Sequence, residues 1–141
     1  MALKVTLKPG EKFVINGAVV VNGDRRTSLL IQNKVSILRE KDVLLPADVN
    51  TPIKRIYFDV MMMYLEEDRR ERHMADFTEH MAGFMGAITN RQALAQCVSI
   101  VEDTNAGRYY SALVTCKKLL PFEKERLDYV APRQAVGAAR G

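Results

Sequence analysis

The sequence has no tryptophan, only two cysteines and no apolar run long enough to cross a bilayer. Cys97 and Cys116 each lie in a helical apolar pattern, and neither has a second ligand at metal-binding spacing. They are predicted to be free, buried thiols, which suits a reducing compartment. The densest apolar segment, residues 56–65, is about half the length of a transmembrane helix, and the N-terminus lacks a signal-peptide pattern. These absences favour a soluble cytoplasmic protein.

Sequence patterns typical of enzymes are also missing. There is no glycine-rich phosphate loop between a strand and a helix, and no Gly-x-Ser-x-Gly turn. His73 and His80 flank Asp76 on a predicted helix, but seven residues correspond to about 10.5 Å of helical rise. One ion with bonds of about 2 Å does not bridge that gap, so polar surface histidines are favoured. The sequence therefore predicts no enzymatic activity, no metal and no cofactor.

The charge is unevenly distributed along the chain. The whole sequence has a formal net charge of +4, from 21 Lys+Arg and 17 Asp+Glu. Residues 1–41 hold eight basic and three acidic residues, a net of +5, and the other 100 hold 13 basic and 14 acidic residues, a net of −1. An anionic partner for the first segment would explain this asymmetry. Lysines that protect the edges of a solvated sheet would explain it equally well.

Residues 3–40 have the composition of short β-strands separated by turns. The Asn-Gly dipeptides at 16–17 and 22–23 are typical of hairpins, because both residue types tolerate positive φ. They predict an antiparallel β-meander of four to five short strands. The runs 19–21 and 29–31 are apolar at consecutive positions, so both faces of the sheet need cover. Helices can cover one face, and a second subunit or a curled sheet must cover the other.

The rest of the chain predicts four helices. Thr51 followed by Pro52 is typical of a helix start, and Asn90 predicts the start of the third helix. The fourth helix meets Pro121, which is predicted to kink or end it. The predicted fold class is therefore α+β: the β-meander followed by four helices.

Three segments are predicted within this arrangement. Residues 1–45 form a basic β-module, and residues 46–130 form a helical module packed on it as one compact unit. Residues 131–141 lack a core pattern and are predicted to be a flexible tail.

The helix that begins at Pro52 is apolar nearly all round, as in a buried helix or one that packs against a partner. Phe58, Met62 and Leu65 form its second apolar stripe. These three residues are predicted to form a partner or oligomer interface.

The basic residues of the β-module could converge on one edge of the sheet. Arg25 and Arg26 are predicted at a hairpin tip, Lys34 at the next turn, and Arg39 and Lys41 after the last strand. Guanidinium groups bind phosphate and guanine through paired hydrogen bonds and stack on unpaired bases. The predicted strands contain a single aromatic residue, so a sheet that stacks bases on aromatic rings is not supported.

Several segments resemble the FlbT family, post-transcriptional regulators of flagellin in flagellated bacteria. The resemblance covers residues 1 to about 125 and rests on "LKPGEKFVINGAVVVNGDRR", "LLIQNK", "ILREKD" and "NTPIKRIYFDVMMMYL". It implies a non-enzymatic protein that binds the 5′ untranslated region of flagellin mRNA and represses translation or promotes decay, in step with flagellum assembly. It also implies a functional link to the companion regulator FlaF. Some members of the family are activators, so the sign of regulation stays open.

The β-segment alone also resembles the CsrA family of mRNA-leader regulators. "KPGEKFVING" and "SILREKDVL" are similar to its strand order, which implies that Arg39 and Lys8 match positions that touch RNA. Such chains interleave as dimers, so a homodimer is expected. The sequence departs from that family at Leu7-Lys8, where two arginines are usual, and by about a hundred added residues.

With these resemblances, we expect Arg25, Arg26 and Arg39 to form an RNA-contacting edge, with Arg39 discriminating bases. Lys8, Lys34 and Lys41 are the expected phosphate contacts. The competing hypothesis is a protein-interaction module or chaperone-like adaptor whose helices bind flagellin or an assembly factor, with indirect effects on mRNA.

Overall fold

The computed structural model describes the backbone of residues 3–136 and the side chains of residues 3–124. Five strands come first, and four helices follow, which confirms the α+β class. The strands are β1 (Leu3–Leu7), β2 (Lys12–Ile15), β3 (Ala18–Val21), β4 (Thr27–Ile31) and β5 (Ile37–Arg39). The helices are α1 (Pro52–Leu65), α2 (Arg70–Ala87), α3 (Arg91–Asn105) and α4 (Tyr109–Val136).

The strands form two antiparallel sheets rather than one. β1 pairs with β4, and β2 lies between β3 and β5. Only the β2–β3 pair joins consecutive strands as in a simple meander. Its hairpin is the predicted one, since Asn16 and Gly17 have φ values of 50° and 86°, and both central residues of such a turn need positive φ.

The second Asn-Gly dipeptide does not make the predicted hairpin, because β3 and β4 belong to different sheets. The Asn22 amide donates to the Glu11 carbonyl (2.8 Å), which extends the β2–β3 pairing by one residue. The Asn22 side chain then donates to the carbonyls of Lys8 (2.7 Å) and Arg25 (2.9 Å). These bonds turn the chain towards β4, so Arg25 and Arg26 lie on a crossover between sheets and not at a hairpin tip.

In the three-stranded sheet, β2 and β5 are covered on both faces, whereas all four residues of β3 are exposed. Val14 of β2 and Leu38 of β5 pack into the main core with the helices. Their neighbours along the strands face the other way, since successive side chains alternate. Phe13 is buried there against Val5 and Leu7 of the β1–β4 sheet. The chain's own second sheet therefore covers this face of β2 and β5, where a second subunit or a curled single sheet was expected.

Helix α1 is the centre of the main core. Ile56, Val60 and Met63 are fully buried, and burying each such side chain contributes about 1.5–3 kcal/mol. Helix α1 packs mainly against α2 and α4. Its second apolar stripe, Phe58, Met62 and Leu65, is half-buried against this same core.

Two predicted helix starts are confirmed by their caps. The Thr51 hydroxyl accepts a hydrogen bond from the Lys54 amide (3.3 Å), and the Asn90 side chain accepts one from the Ala93 amide (2.9 Å). Each bond satisfies an amide that has no partner within the helix. Sequence signals that act within four residues were therefore sufficient to place these two ends.

Helix α4 is longer than predicted. It continues through Pro121, so the proline does not end it. Pro121 is exposed, and the carbonyl that loses its donor can bind water there. Residues 131–136 belong to α4 and residues 137–141 lie outside the described residues, so the flexible tail stays a prediction.

Glu123 joins the far part of α4 to the start of α1. Its buried carboxylate accepts hydrogen bonds from the Thr51 hydroxyl and from the Ile53 amide (2.8 Å). A negative charge is favourable at a helix N-terminus, where the amide dipoles point outward.

Both cysteines are free and buried, as predicted. They lie in the core formed by α1, α3 and α4. Burial raises the pKa of Cys97 to about 11 and that of Cys116 further, so both are neutral thiols near pH 7.

None of the helices within the described residues is long and apolar enough to cross a membrane.

Candidate nucleic-acid interface

One end of the β-module gathers two chain reversals. The first is the turn from β1 to β2, where the Lys8 amide donates to Glu11 Oε1 (2.9 Å) and the Glu11 amide donates to the Lys8 carbonyl (3.1 Å). Gly10 adopts φ 71° in this turn, a conformation that glycine adopts without a steric penalty. Its amide donates to the Gly23 carbonyl (2.8 Å), so the turn is tied to the β3–β4 crossover.

Arg25 and Arg26 lie on that crossover with exposed side chains. The backbone beneath them is fixed, since the Arg25 carbonyl accepts from the Asn22 side chain (2.9 Å) and the Thr27 hydroxyl (3.1 Å). Neither guanidinium makes a hydrogen bond or ion pair with any residue that the structure describes. Two cations on an ordered backbone are therefore free to contact an external anion.

Arg39 is held differently from the other two arginines. Its Nη1 donates to Glu11 Oε2 (3.0 Å) and its Nη2 donates to the Thr6 carbonyl (2.9 Å). It therefore joins the end of β5 to both the β1–β2 turn and strand β1. The side chain is 36% exposed, and a guanidinium has five donors, so three N–H groups are left for a ligand.

Lys8, Arg25, Arg26 and Arg39 are brought together by this network, and we call them the basic edge. The backbone carbonyls of Lys8 and Arg25 accept from the same Asn22 side-chain amide, and the Arg39 guanidinium shares Glu11 with the Lys8 backbone amide. Glu11 accepts from Arg39, and the exposed Asp24 directly precedes Arg25 in sequence, so both carboxylates reduce the positive potential of this surface.

Lys34 lies away from the basic edge. It precedes β5 on the side of the Asn16–Gly17 hairpin, where the Ser36 amide donates to the Asn16 side chain (3.0 Å), and Arg39 is at the other end of the strand. An RNA strand must therefore follow β5 along its length if it contacts both residues.

Lys41 lies in a short 3-10 turn (Glu40–Asp42) that follows β5. It lines a groove together with Tyr110 and Lys117 of α4. Sequence reasoning missed both α4 residues as neighbours of Lys41. The Tyr-Tyr pair at the start of α4 was the available signal, but nothing in the sequence places it beside the β-module.

The electrostatics of Glu11 give a pH prediction. The Lys8 amide, and then the Arg39 guanidinium, hold the pKa of Glu11 below its usual value of 4.5. A carboxyl whose pKa falls on folding stabilises the fold above its unfolded pKa, and this stabilisation is lost as the pH falls through the folded pKa. Wild type should therefore melt at a higher temperature than Glu11→Gln at neutral pH. This difference in melting temperature should become smaller below about pH 4.5.

Thermal melts of both proteins between acid and neutral pH check this prediction. Glu79→Gln, at an exposed position on α2, is the matched control and should melt close to wild type throughout. If the difference in melting temperature between wild type and Glu11→Gln did not change with pH, the charge of the Glu11 carboxylate would not be the cause of the stabilisation.

The two histidines are more buried than predicted, and each is paired with a carboxylate. His73 Nε2 lies 3.3 Å from Glu66 Oε1, and His80 Nδ1 lies 2.5 Å from Asp59 Oδ2. Burial raises the pKa of Asp59, and the contact with His80 opposes that effect. Within the described part of the chain, no group of three or more His, Cys, Asp or Glu residues could hold a metal ion.

The fold and the basic edge define a small α+β protein whose β-module carries several basic residues at one end. Comparison with known proteins is more specific. Residues 3–127 match the family model described as "Flagellar protein FlbT", and the chain belongs to the FlbT family. The predicted family is therefore confirmed.

The similar proteins cover most or all of the chain. The "Flagellum biosynthesis repressor protein FlbT" of Caulobacter vibrioides is 48% identical over 141 residues, which is 100% of both chains. Proteins named "Probable flagellum biosynthesis repressor protein FlbT" in Rhodopseudomonas palustris and Brucella anthropi are 37% and 32% identical. They match 91% and 99% of this chain and 99% and 91% of their own lengths. No solved structure matches the chain.

Proposed function

We propose that this protein regulates flagellum synthesis by binding the 5′ untranslated region of flagellin mRNA and repressing its translation or promoting its decay. The name of the Caulobacter vibrioides relative, a flagellum biosynthesis repressor, supports the regulatory role. The basic edge supports an anionic ligand. Regulation requires only that the protein occupies the leader RNA in the cytoplasm, and this needs no catalytic group, metal or cofactor.

The proposal rests mainly on the exposure of the Arg25 and Arg26 guanidinium groups. Both guanidiniums are exposed and have no partner among the described residues, and the Asn22 and Thr27 side chains fix the backbone that carries them. A charge held on an ordered loop loses less conformational freedom on binding than one on a mobile tail. Guanidinium groups also match phosphate through paired hydrogen bonds.

The residues divide into two kinds of contact. Lys8, Arg25 and Arg26 are suited to contact phosphates, since their charges are exposed. Arg39 offers fewer free donors in a fixed orientation, which suits a contact with one base edge. Lys34 and Lys41 extend the surface in opposite directions along β5. Phosphate contacts supply affinity and base contacts supply selectivity.

Competition binding tests the proposal. Purified protein is titrated into a labelled flagellin leader RNA, and unlabelled leader or a shuffled RNA of equal length and composition is the competitor. The leader should displace the probe at a concentration at least about tenfold lower than the shuffled RNA does. Equal displacement by both RNAs would show charge-driven binding without recognition, and the proposal would fail.

A homodimer is a second part of this proposal, and β3 supports it. All four residues of β3 are exposed, Val19 is 70% exposed, and the strand is at the edge of its sheet. The strand has no charge or proline, which are the usual protections of a free edge. Two copies of β3 can pair antiparallel about a two-fold axis without opposing like charges.

Light scattering after size-exclusion chromatography tests the dimer. Wild type should have twice the monomer mass, and Val19→Lys should shift it to the monomer. Leu30→Lys, which is 64% exposed on the other sheet, is the matched control and should leave the mass unchanged. A monomeric wild type would contradict the dimer.

The competing function is a protein-interaction module for flagellin, a FlaF-type regulator or an assembly factor. Phe58, Met62 and Leu65 are half-buried against the core, so substitutions there would change stability as well as any docking surface. The exposed β3 edge is the better place to test this alternative. Val19→Lys that loses a purified protein partner while keeping leader RNA binding would favour it.

A further inference from the structure

A groove lies between β5, the Glu40–Asp42 turn, α1 and α4. Its volume is about 200 Å³, which is smaller than the ~300–1,000 Å³ pockets that hold drug-sized ligands. Leu38, Tyr57 and Leu113 form its apolar floor, and Lys41, Tyr110 and Lys117 lie at its rim. The space suits one flat ring system with a charged group at the opening.

The ring of Tyr110 is 51% exposed and packs against the ring of Tyr64. Its centroid lies 5.8 Å from that of Tyr64, at an interplanar angle of 48°. The Tyr64 hydroxyl is itself fixed at β5, since it accepts from the Ile37 amide (3.0 Å) and donates to the Ile37 carbonyl (3.1 Å). A ring oriented before binding is a good stacking surface, because little freedom is lost when a ligand arrives.

The charges at the groove favour an anionic ligand. Lys117 is paired with Asp42, and the Tyr57 hydroxyl donates to the Asp42 carbonyl (2.6 Å), so these polar groups are satisfied within the protein. Lys41 is exposed and has no partner among the described residues. Its ammonium therefore gives the rim one uncompensated positive charge.

We propose that this groove takes one unpaired base of the bound RNA, stacked on Tyr110, with a neighbouring phosphate on Lys41. The proposal rests on the proposed RNA binding and names a second contact site for it. Lys41 follows Arg39 by two residues, at the end of β5 opposite Lys34, so an RNA strand that passes from Arg39 around this end of β5 reaches the groove. A base presents a flat, apolar face and a phosphate at its side, which matches the Tyr110 ring and the Lys41 charge.

This site supplies what the β-strands lack. The one aromatic residue of the strands, Phe13, is buried between the two sheets and cannot stack on a base. The stacking ring comes instead from α4, so the RNA surface combines residues of the β-module and the helical module.

Two substitutions at Tyr110 test the groove in the full-length protein. Tyr110→Leu removes the aromatic face and keeps an apolar side chain, whereas Tyr110→Phe keeps the face. The probe is the labelled flagellin leader RNA, titrated at several salt concentrations. Tyr110→Leu should weaken binding about 5- to 100-fold with an unchanged salt slope, and Tyr110→Phe should bind like wild type. Circular dichroism confirms that each variant is folded.

The outcomes separate this site from the proposed function. Leader binding that is equal in wild type and Tyr110→Leu, while Arg25→Ala/Arg26→Ala binds weakly, overturns the groove and leaves the function standing. A wild type that does not prefer the leader to shuffled RNA overturns both. Loss of a purified protein partner in Tyr110→Leu, with RNA binding intact, overturns the groove as a base site and assigns it to a protein side chain.

Discussion

Replacing Arg25 and Arg26 together with alanine should weaken leader RNA binding on the order of 100-fold. Both side chains are exposed and have no partner among the described residues. The substitution therefore removes no contact that stabilises the free protein. Hydrogen bonds to charged groups are worth about 1.5–3 kcal/mol each, and two at the lower value, about 3 kcal/mol together, correspond to a factor on the order of 100. The slope of log affinity against log salt should become shallower by about 1.4, since each phosphate contact on single-stranded RNA contributes about 0.7.

A charge-matched control separates a local effect from the loss of net charge. Arg72→Ala/Arg91→Ala removes the same two charges from exposed positions on α2 and α3. Its affinity should change far less than that of the Arg25→Ala/Arg26→Ala variant. Both variants should unfold within about 0.5 kcal/mol of wild type, as is usual for exposed positions. Equal affinities for the two variants would show that the crossover is not the contact site.

Replacing Ile56 with alanine should destabilise the fold by about 2–5 kcal/mol. Ile56 is fully buried in α1, at the centre of the core that joins the helices to the three-stranded sheet. The substitution removes apolar contacts and leaves a cavity that the neighbouring helices fill only in part. Since small domains have about 5–15 kcal/mol of total stability, this is a large fraction.

Urea denaturation followed by circular dichroism measures this loss. Leu30→Ala is the control, because Leu30 is apolar but 64% exposed, and it should change the free energy of unfolding by no more than about 0.5 kcal/mol. Similar losses for the two variants would contradict the description of α1 as the centre of the core.

Features that depend on neighbouring residues could be predicted from the sequence. The Thr51 and Asn90 caps and the Asn16–Gly17 hairpin each follow from the chemistry of two to four adjacent residues, and all three were correct. The order of the strands could not be predicted in this way. It depends on β1 meeting β4 and β2 meeting β5, and on an Asn22 side chain that joins carbonyls far apart in sequence.

The candidate site shows the same division. The basic residues were visible as a charge asymmetry in the first 41 residues, but their surroundings were not. The pairing of Arg39 with Glu11 and the position of Lys34 at the other end of β5 depend on the β2–β5 register. The groove required four elements to meet, β5, the turn after it, α1 and α4, and its Tyr110 is 69 residues from Lys41 in sequence.

Ultraviolet crosslinking of the protein to flagellin leader RNA, with the crosslinked peptides identified by mass spectrometry, tests the central claim most directly. The claim is that the basic edge and the surface along β5 contact this RNA. Crosslinks should fall on peptides from the β1–β2 turn, the β3–β4 crossover and the start of α4, and excess unlabelled leader should compete them away. Crosslinks confined to α2 and α3, or crosslinks that shuffled RNA competes equally well, would contradict it.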